Sequence, residues 1–248
     1  IEKYPENPKV RVVFADILYA DKKYQKAKNQ YLFALEKEKN KRELWTQVLF
    51  IQAEENDFEG ILITSEEALE YFPLEPLFYY FNGISKNRFE NYDDAITSLL
   101  TGLEFVFDNE NLILEFYISL AESYNAKKTY KLSDQYFEKA LEIDSNNVLV
   151  LNNYSYFLSI RKTKLEQALK MSLRCNEIVK DNGTYQDTYA WVLYQLGEYK
   201  KSKEWLLKAL LNGGEKSAVI VEHYGDVLYK LGDFNEAVIE WKKAKKIG

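Results

Sequence analysis

The side chains able to do chemistry are few, and their spacing does not assemble them. His223 is the only histidine, so no triad can be built with a second imidazole and metal ligation by paired histidines is impossible. As a lone residue on a helix it reads as a packed or groove-edge side chain. Cys175 is the only cysteine, which excludes an internal disulfide and a multi-cysteine zinc site. Packing in a small-residue slot accounts for it without reactivity. No phosphate-binding G-x-x-x-x-G-K-[ST] or G-x-G-x-x-G sequence occurs, and Gly213-Gly214 reads as a helix C-cap and turn. Asp144-Ser-Asn-Asn147 lacks the twelve-residue calcium-loop pattern and reads as a turn between repeats. Asn153-Tyr-Ser155 and Asn182-Gly-Thr184 match the glycosylation triplet, but the first falls within a helix and the triplet is common by chance. The expectation is a protein that is not an enzyme, with no catalytic residues, no cofactor and no metal.

Bulk properties narrow the classes further. The net charge of −6 provides no global field to gather nucleic acid or an anionic membrane. The run Lys242-Lys-Ala-Lys-Lys246 reads as a solvated final helical turn complementing the helix dipole. No apolar run of 18 residues exists, so no transmembrane segment is expected. With four prolines and ten glycines in 248 residues, long stretches are free to be helical. The length exceeds one ordinary core, which leaves two domains or a repeat array.

Spacing decides for the array. Ala190-Trp-Val-Leu-Tyr-Gln-Leu-Gly197 and Gly225-Asp-Val-Leu-Tyr-Lys-Leu-Gly232 share residue types, and the anchors at 190, 197 and 209 recur after 35 residues. A small residue returns through Ala34, Ala68, Gly102, Ala140, Cys175, Ala209 and Ala244, in steps of 34 to 38. A second series runs Ala15, Leu49, Gly83, Ala121, Ser155, Ala190 and Gly225. Two helices of a hairpin approach closely where no large side chain intervenes, and aromatics such as Tyr31, Phe137 and Trp241 fill the flanking gaps. The offset between small residues of paired helices is one longer for Ser155–Ala168, implying an extra residue in the Arg161–Lys164 turn. The 38-residue step near Phe105–Asn111 implies a longer helix or loop.

On these residues the chain resembles the tetratricopeptide repeat (TPR) family, whose unit carries W-x2-L-G-x2-Y, A-x3-F and a closing proline. Trp45, Tyr79 with Gly83, Ala95 with Leu99, Ala237 with Trp241, and Pro73 stand at matching places. The resemblance covers the whole chain and is similar to the C-terminal half of longer bacterial multi-TPR proteins. It implies an all-α fold: an α-α superhelix (TPR solenoid) of about seven helix-turn-helix repeats, fourteen helices. The expectation is a single superhelical domain, with repeats at about 8–41, 42–75, 76–113, 114–147, 148–182, 183–217 and 218–248. Residues 1–7 read as the tail of a truncated preceding repeat, because Ile1-Glu-Lys-Tyr-Pro5 matches the helix end Glu70-Tyr-Phe-Pro73.

In TPR arrays the first helix of each repeat lines the concave groove. The resemblance then implies a partner-binding groove of Tyr19; Phe50; Tyr80, Asn87 and Arg88; Glu122 and Asn125; Asn152 and Tyr156; Asp187, Trp191 and Tyr194; and Glu222, Asp226 and Tyr229. Aromatic anchors among polar groups suit a peptide or helix laid in a groove. The family's clamp for a C-terminal carboxylate needs Lys and Asn one turn apart. The pairs here, from Val12/Asp16 through Asn152/Tyr156 to Glu222/Asp226, carry no basic residue. The expected partner is a protein or peptide, an apolar or basic segment rather than an acidic tail, and not nucleic acid. Homo-association through the exposed terminal helix is a further expectation. The expected function is a non-catalytic protein–protein interaction scaffold. The alternatives are a structural spacer or self-association module of a longer envelope protein, and glycan recognition by groove aromatics. Placement in the periplasm or at a membrane through a missing N-terminal segment, or in the cytoplasm, stays open.

Overall fold

The computed structural model describes residues 6–248, so Ile1–Pro5 of the expected repeat remnant lies outside the described residues. Among those described there are fourteen α-helices and no strand, as the sequence leads one to expect. They are α1 (Pro8–Ala20), α2 (Tyr24–Lys37), α3 (Arg42–Glu54), α4 (Phe58–Tyr71), α5 (Pro76–Arg88), α6 (Tyr92–Glu104) and α7 (Glu110–Ala126). The series continues with α8 (Tyr130–Ile143), α9 (Val148–Ile160), α10 (Leu165–Ile178), α11 (Gly183–Gln195), α12 (Tyr199–Leu211), α13 (Ala218–Leu231) and α14 (Phe234–Ile247). Odd-numbered helices are the first, and even-numbered the second, of each hairpin.

The chain divides into two compact units, one ending at Tyr136 and the other beginning at Phe137, so the division falls within α8. In the first unit each helix from α1 to α7 packs on the next, and α5 also touches α7. In the second, α9 to α14 pack successively, with α9 against α11 and α11 against α13.

Local sequence sets the ends of the helices. Side chains of Asp57, Asn109, Asn147 and Asn182 each accept a hydrogen bond of 3.0 to 3.1 Å from an N–H in the first turn of the next helix. Every hairpin then closes the same way. Lys22, Asn56, Glu90, Lys128, Lys162, Gly197 and Gly232 all have positive φ, between 53° and 91°. The following N–H bonds five residues back, as in Lys23 N to Leu18 O at 2.8 Å and Asp233 N to Leu228 O at 3.0 Å. This is the Schellman closure. The expected extra residue of the Arg161–Lys164 turn is present, and Lys164 is also left-handed, at φ 47°. The 38-residue step is used twice, by the Phe105–Asn109 loop and by the 17-residue α7.

Cores form where hairpins are pinched. Ala15, Ala27, Ala34, Leu49, Ile61 and Ala68 are fully buried in one cluster of the first unit. In the second unit, Ala190, Leu206, Ala209 and Val227 are fully buried. Ser202 Oγ donates 2.7 Å to the Ala190 carbonyl, so even the polar small residue is spent across the hairpin. Cys175 is 1% exposed with Sγ 3.4 Å from the Val148 carbonyl, and burial pushes its thiol up to about 11. Lys28 is the buried cation of the first unit, its Nζ 2.6 Å from Glu55 and 3.3 Å from Asp57. Burial pulls Lys28 down, but the two carboxylates outweigh it and hold the ammonium above its usual range. Lys203 makes the same reach to Asp233, at 3.0 Å.

Two stability outcomes follow. A Cβ on Gly102 would sit 2.7 Å from Phe116 Cζ and closer still to Tyr79 Cβ. Gly102→Ala should therefore cost about 1–3 kcal/mol by overpacking, read as a lower urea midpoint. Glu90 is exposed and held at φ 59°. Glu90→Gly should raise stability by about 0.5–1 kcal/mol, because glycine meets no steric penalty there; an unchanged or lower midpoint would count against the left-handed turn.

Candidate partner-binding face

The two units place the expected groove residues differently. In the first, α1 and α3 carry Tyr19, edge-on to Tyr24 at 5.3 Å, and Phe50, edge-on to Phe81 at 5.5 Å. Tyr80 packs edge-on against Phe81 and Phe116, and its hydroxyl donates 3.2 Å to Glu115. Burial first, then Glu115, hold that phenol well above its usual range. Asn87 accepts 2.8 Å from Ser123 Oγ. Arg88 ends α5 with its guanidinium 5.6 Å over the Phe58 ring, beside the α3–α4 turn. Glu122 and Asn125 are half-buried on α7, with Glu122 in the field of Tyr80. These side chains are largely occupied by neighbours within the unit.

The second unit gathers its residues into one cluster. Successive first helices repeat at 35 residues, so Asn152, Asp187 and Glu222 share one register position on α9, α11 and α13, and Tyr156, Trp191 and Asp226 share the next. Asp187, 6% exposed, lies against Nδ1 of His223, 7% exposed, at 2.9 and 3.1 Å from its two oxygens. The imidazole stacks on Trp191 at 3.8 Å and 12°, and Trp191 stacks on Tyr194 at 4.5 Å and 4°. The indole is therefore engaged with rings of its own chain, and stacking a sugar on Trp191 would require displacing one of them.

Tyr156 is different. It is half-buried, and the ring recorded against it is Phe157, tilted at 6.2 Å. Burial, then the carboxylates of Asp187 and Glu222, push its phenol above the usual range. Glu222 is exposed and makes no hydrogen bond or ion pair. Asp226 accepts 2.9 Å from the Trp241 indole, and Tyr229 packs on Phe234 and Trp241. Asn152 donates 3.1 Å to Asn153, while its own Oδ1 is buried without a hydrogen-bond partner.

Three contributors escape a reading by register alone: His223, Glu115 and Trp241. His223 lies one residue beyond the 35-residue offset from Asp187, and that spacing is the signal that pairs them. Among the described residues no group of three or more His, Cys, Asp or Glu side chains could hold a metal, and no helix is long and apolar enough to cross a membrane.

Helix hairpins repeating at this period have the fold of tetratricopeptide repeat proteins. The profile of the tetratricopeptide repeat matches residues 114–147 and 185–211. Those two stretches match the repeat, whose fold generally supports protein–protein interaction scaffolds that are non-catalytic. Over 114 residues it is 30% identical to the type IV pilus assembly protein PilF of Pseudomonas aeruginosa, a match covering 45% of this chain and 44% of that one. The chain thus matches less than half the length of this relative. A solved structure of Pseudomonas aeruginosa PilF superposes with a TM-score of 0.59 at 24% identity, over 68% of this chain and 75% of that one. A tetratricopeptide repeat protein from Parabacteroides merdae superposes at 0.75 and 15% identity over 97% and 93%. YrrB, described as a TPR protein with an unusual peptide-binding site, gives 0.56 at 19% identity over 73% and 91%.

The Asp187–His223 pair has a measurable weight. Asp187→Ala strands a buried imidazole and should cost about 1–3 kcal/mol, whereas Asp187→Asn keeps a hydrogen-bond acceptor and should cost less. Urea unfolding of both variants checks the order; equal losses would mean that the hydrogen bond contributes nothing.

Proposed function

We propose that the chain is a non-catalytic scaffold whose seven hairpins act as one array, and that it grips a protein partner on the first-helix face of the second unit. The observation that carries this reading is the pairing of a fixed aromatic wall with unspent groups. Trp191 and Tyr194 are held by the Asp187–His223 pair, while on the neighbouring first helices Tyr156 is half-buried and Glu222 is exposed and unpaired. Preorganised aromatics lose little freedom on binding, which is where interface energy concentrates. An extended or helical segment across α9, α11 and α13 would meet both rows of side chains in register. The likeness to YrrB supports a peptide as the occupant, and the likeness to PilF supports work within a larger assembly.

The wall also decides which variant tests the face. Trp191→Ala would remove a ring on which both His223 and Tyr194 stack, so loss of binding would be confounded with local collapse. Tyr156→Ala is cleaner. Affinity capture from the native cell should enrich a protein on the wild-type chain and on Lys170→Ala, an exposed substitution on α10. It should lose that protein on Tyr156→Ala, with a weakening of about 2 kcal/mol or more. Equal capture by all three chains would move the site off this face, and capture of the chain alone would favour the spacer or self-association reading.

A further inference from the structure

We propose that copies of this chain join head to tail, the outer face of α1 on one copy seating in the open cleft between α13 and α14 of the next. The inference goes beyond the partner-binding reading and does not depend on it, because Tyr156 on α9 belongs to neither surface.

Repeat register shows what each surface is shaped to meet. Ile17, 60% exposed, stands at the register position of Ile51 and Ser85 in the first unit and of Val192 and Val227 in the second, all four fully buried. With Val10, Val13 and Phe14 it forms an apolar face on α1, where Val13 is 59% exposed. The outermost helix of a repeat array ordinarily turns a polar face to solvent, and an exposed apolar face marks a contact surface. Between α13 and α14 lies a cleft of about 450 Å³, lined by Ala218 and Glu222 of α13 and by Trp241, Ala244 and Lys245 of α14.

The second unit already contains this joint. Ile220 and Val227 of α13 pack in one core with Ala190 of α11 and with Leu206 and Ala209 of α12. His223 closes the contact on Asp187 of α11, 2.9 Å away. One repeat on, Trp241 and Ala244 stand at the register positions of Leu206 and Ala209, and Glu222 at that of Asp187. Val10, Val13, Phe14 and Ile17 of α1 stand at the positions of Ile220, His223, Tyr224 and Val227. Seating α1 in the α13–α14 cleft would therefore continue the repeat-to-repeat interface from one molecule into the next. Val13 takes the place of His223, so a donor to Glu222 must come from elsewhere on the α1 face. Lys9, exposed and one turn before Val13, is the cation there. The two surfaces differ, so the joint is heterologous, and each added copy leaves one surface of each kind exposed until rotation closes a ring.

Sedimentation velocity over a hundredfold range of concentration supplies the test. The wild-type chain should gain mass with concentration and pass beyond a dimer. Ile17→Asp spoils the α1 face and Ala218→Arg fills the cleft, and each should weaken association at least tenfold. Mixed in equal amounts, each variant keeps the surface that the other lacks, so the mixture should form a dimer and nothing larger. Lys9→Glu and Glu222→Lys, both at exposed positions, should each weaken association and recover it when carried together on one chain. Tyr156→Ala should leave association unchanged, which keeps this result apart from failure of the partner face. A wild-type chain that stays monomeric across the range overturns the proposal. So does association lost in Ile17→Asp but kept in Ala218→Arg, which would pair α1 with α1 about a twofold axis, and so does a mixture that forms no dimer.

Discussion

Hairpin closure is the constraint on which the rest of the structure depends. Each first helix must stop, reverse and return its partner close enough for backbone to approach backbone across Ala, Gly or Ser. The left-handed residue and its five-residue-back hydrogen bond make the reversal, and the small residues make the approach. Neither suffices alone. A correct turn with a large residue at Gly102 or Gly225 would splay the helices, and small residues without the turn would have nothing to face. Because each hairpin buries its apolar side only against its neighbours, this local geometry repeats into the whole of each unit.

Placement of the candidate face follows from the same repeat. Fixing the period fixes which residues of α9, α11 and α13 stand abreast, so a row such as Asn152, Asp187 and Glu222 is a product of spacing before it is a product of chemistry. Chemistry then separates the members. Asp187 is buried and engaged by an imidazole, and Glu222 is exposed and unengaged, although they occupy one register position 35 residues apart. One member of the row holds the wall in place and another stands unengaged.

The fold was legible because its signal is periodic. Small residues at steps of 34 to 38 identify hairpins whatever the surrounding residues are, and the longer steps marked where α7 and the α9–α10 turn depart. The turns themselves were half legible. Gly197 and Gly232 announce positive φ, while Lys22, Asn56, Glu90, Lys128 and Lys162 adopt it without a residue type that requires it. Nothing in the sequence marks the division within α8. At the candidate face, register named the residues that point one way but not which of them engage each other. Trp191 reads as an available platform in sequence and is a stacked member in space, because a ring's neighbours depend on rotamers that spacing does not specify.

The unpaired carboxylate of Glu222 also bears on how copies of the chain meet. Two copies that met with a twofold axis near Glu222 would bring that carboxylate toward its own image, with no lysine or arginine at the two register positions to intervene. Such like-charge juxtaposition costs several kcal/mol. A twofold contact of that kind is therefore disfavoured on this face.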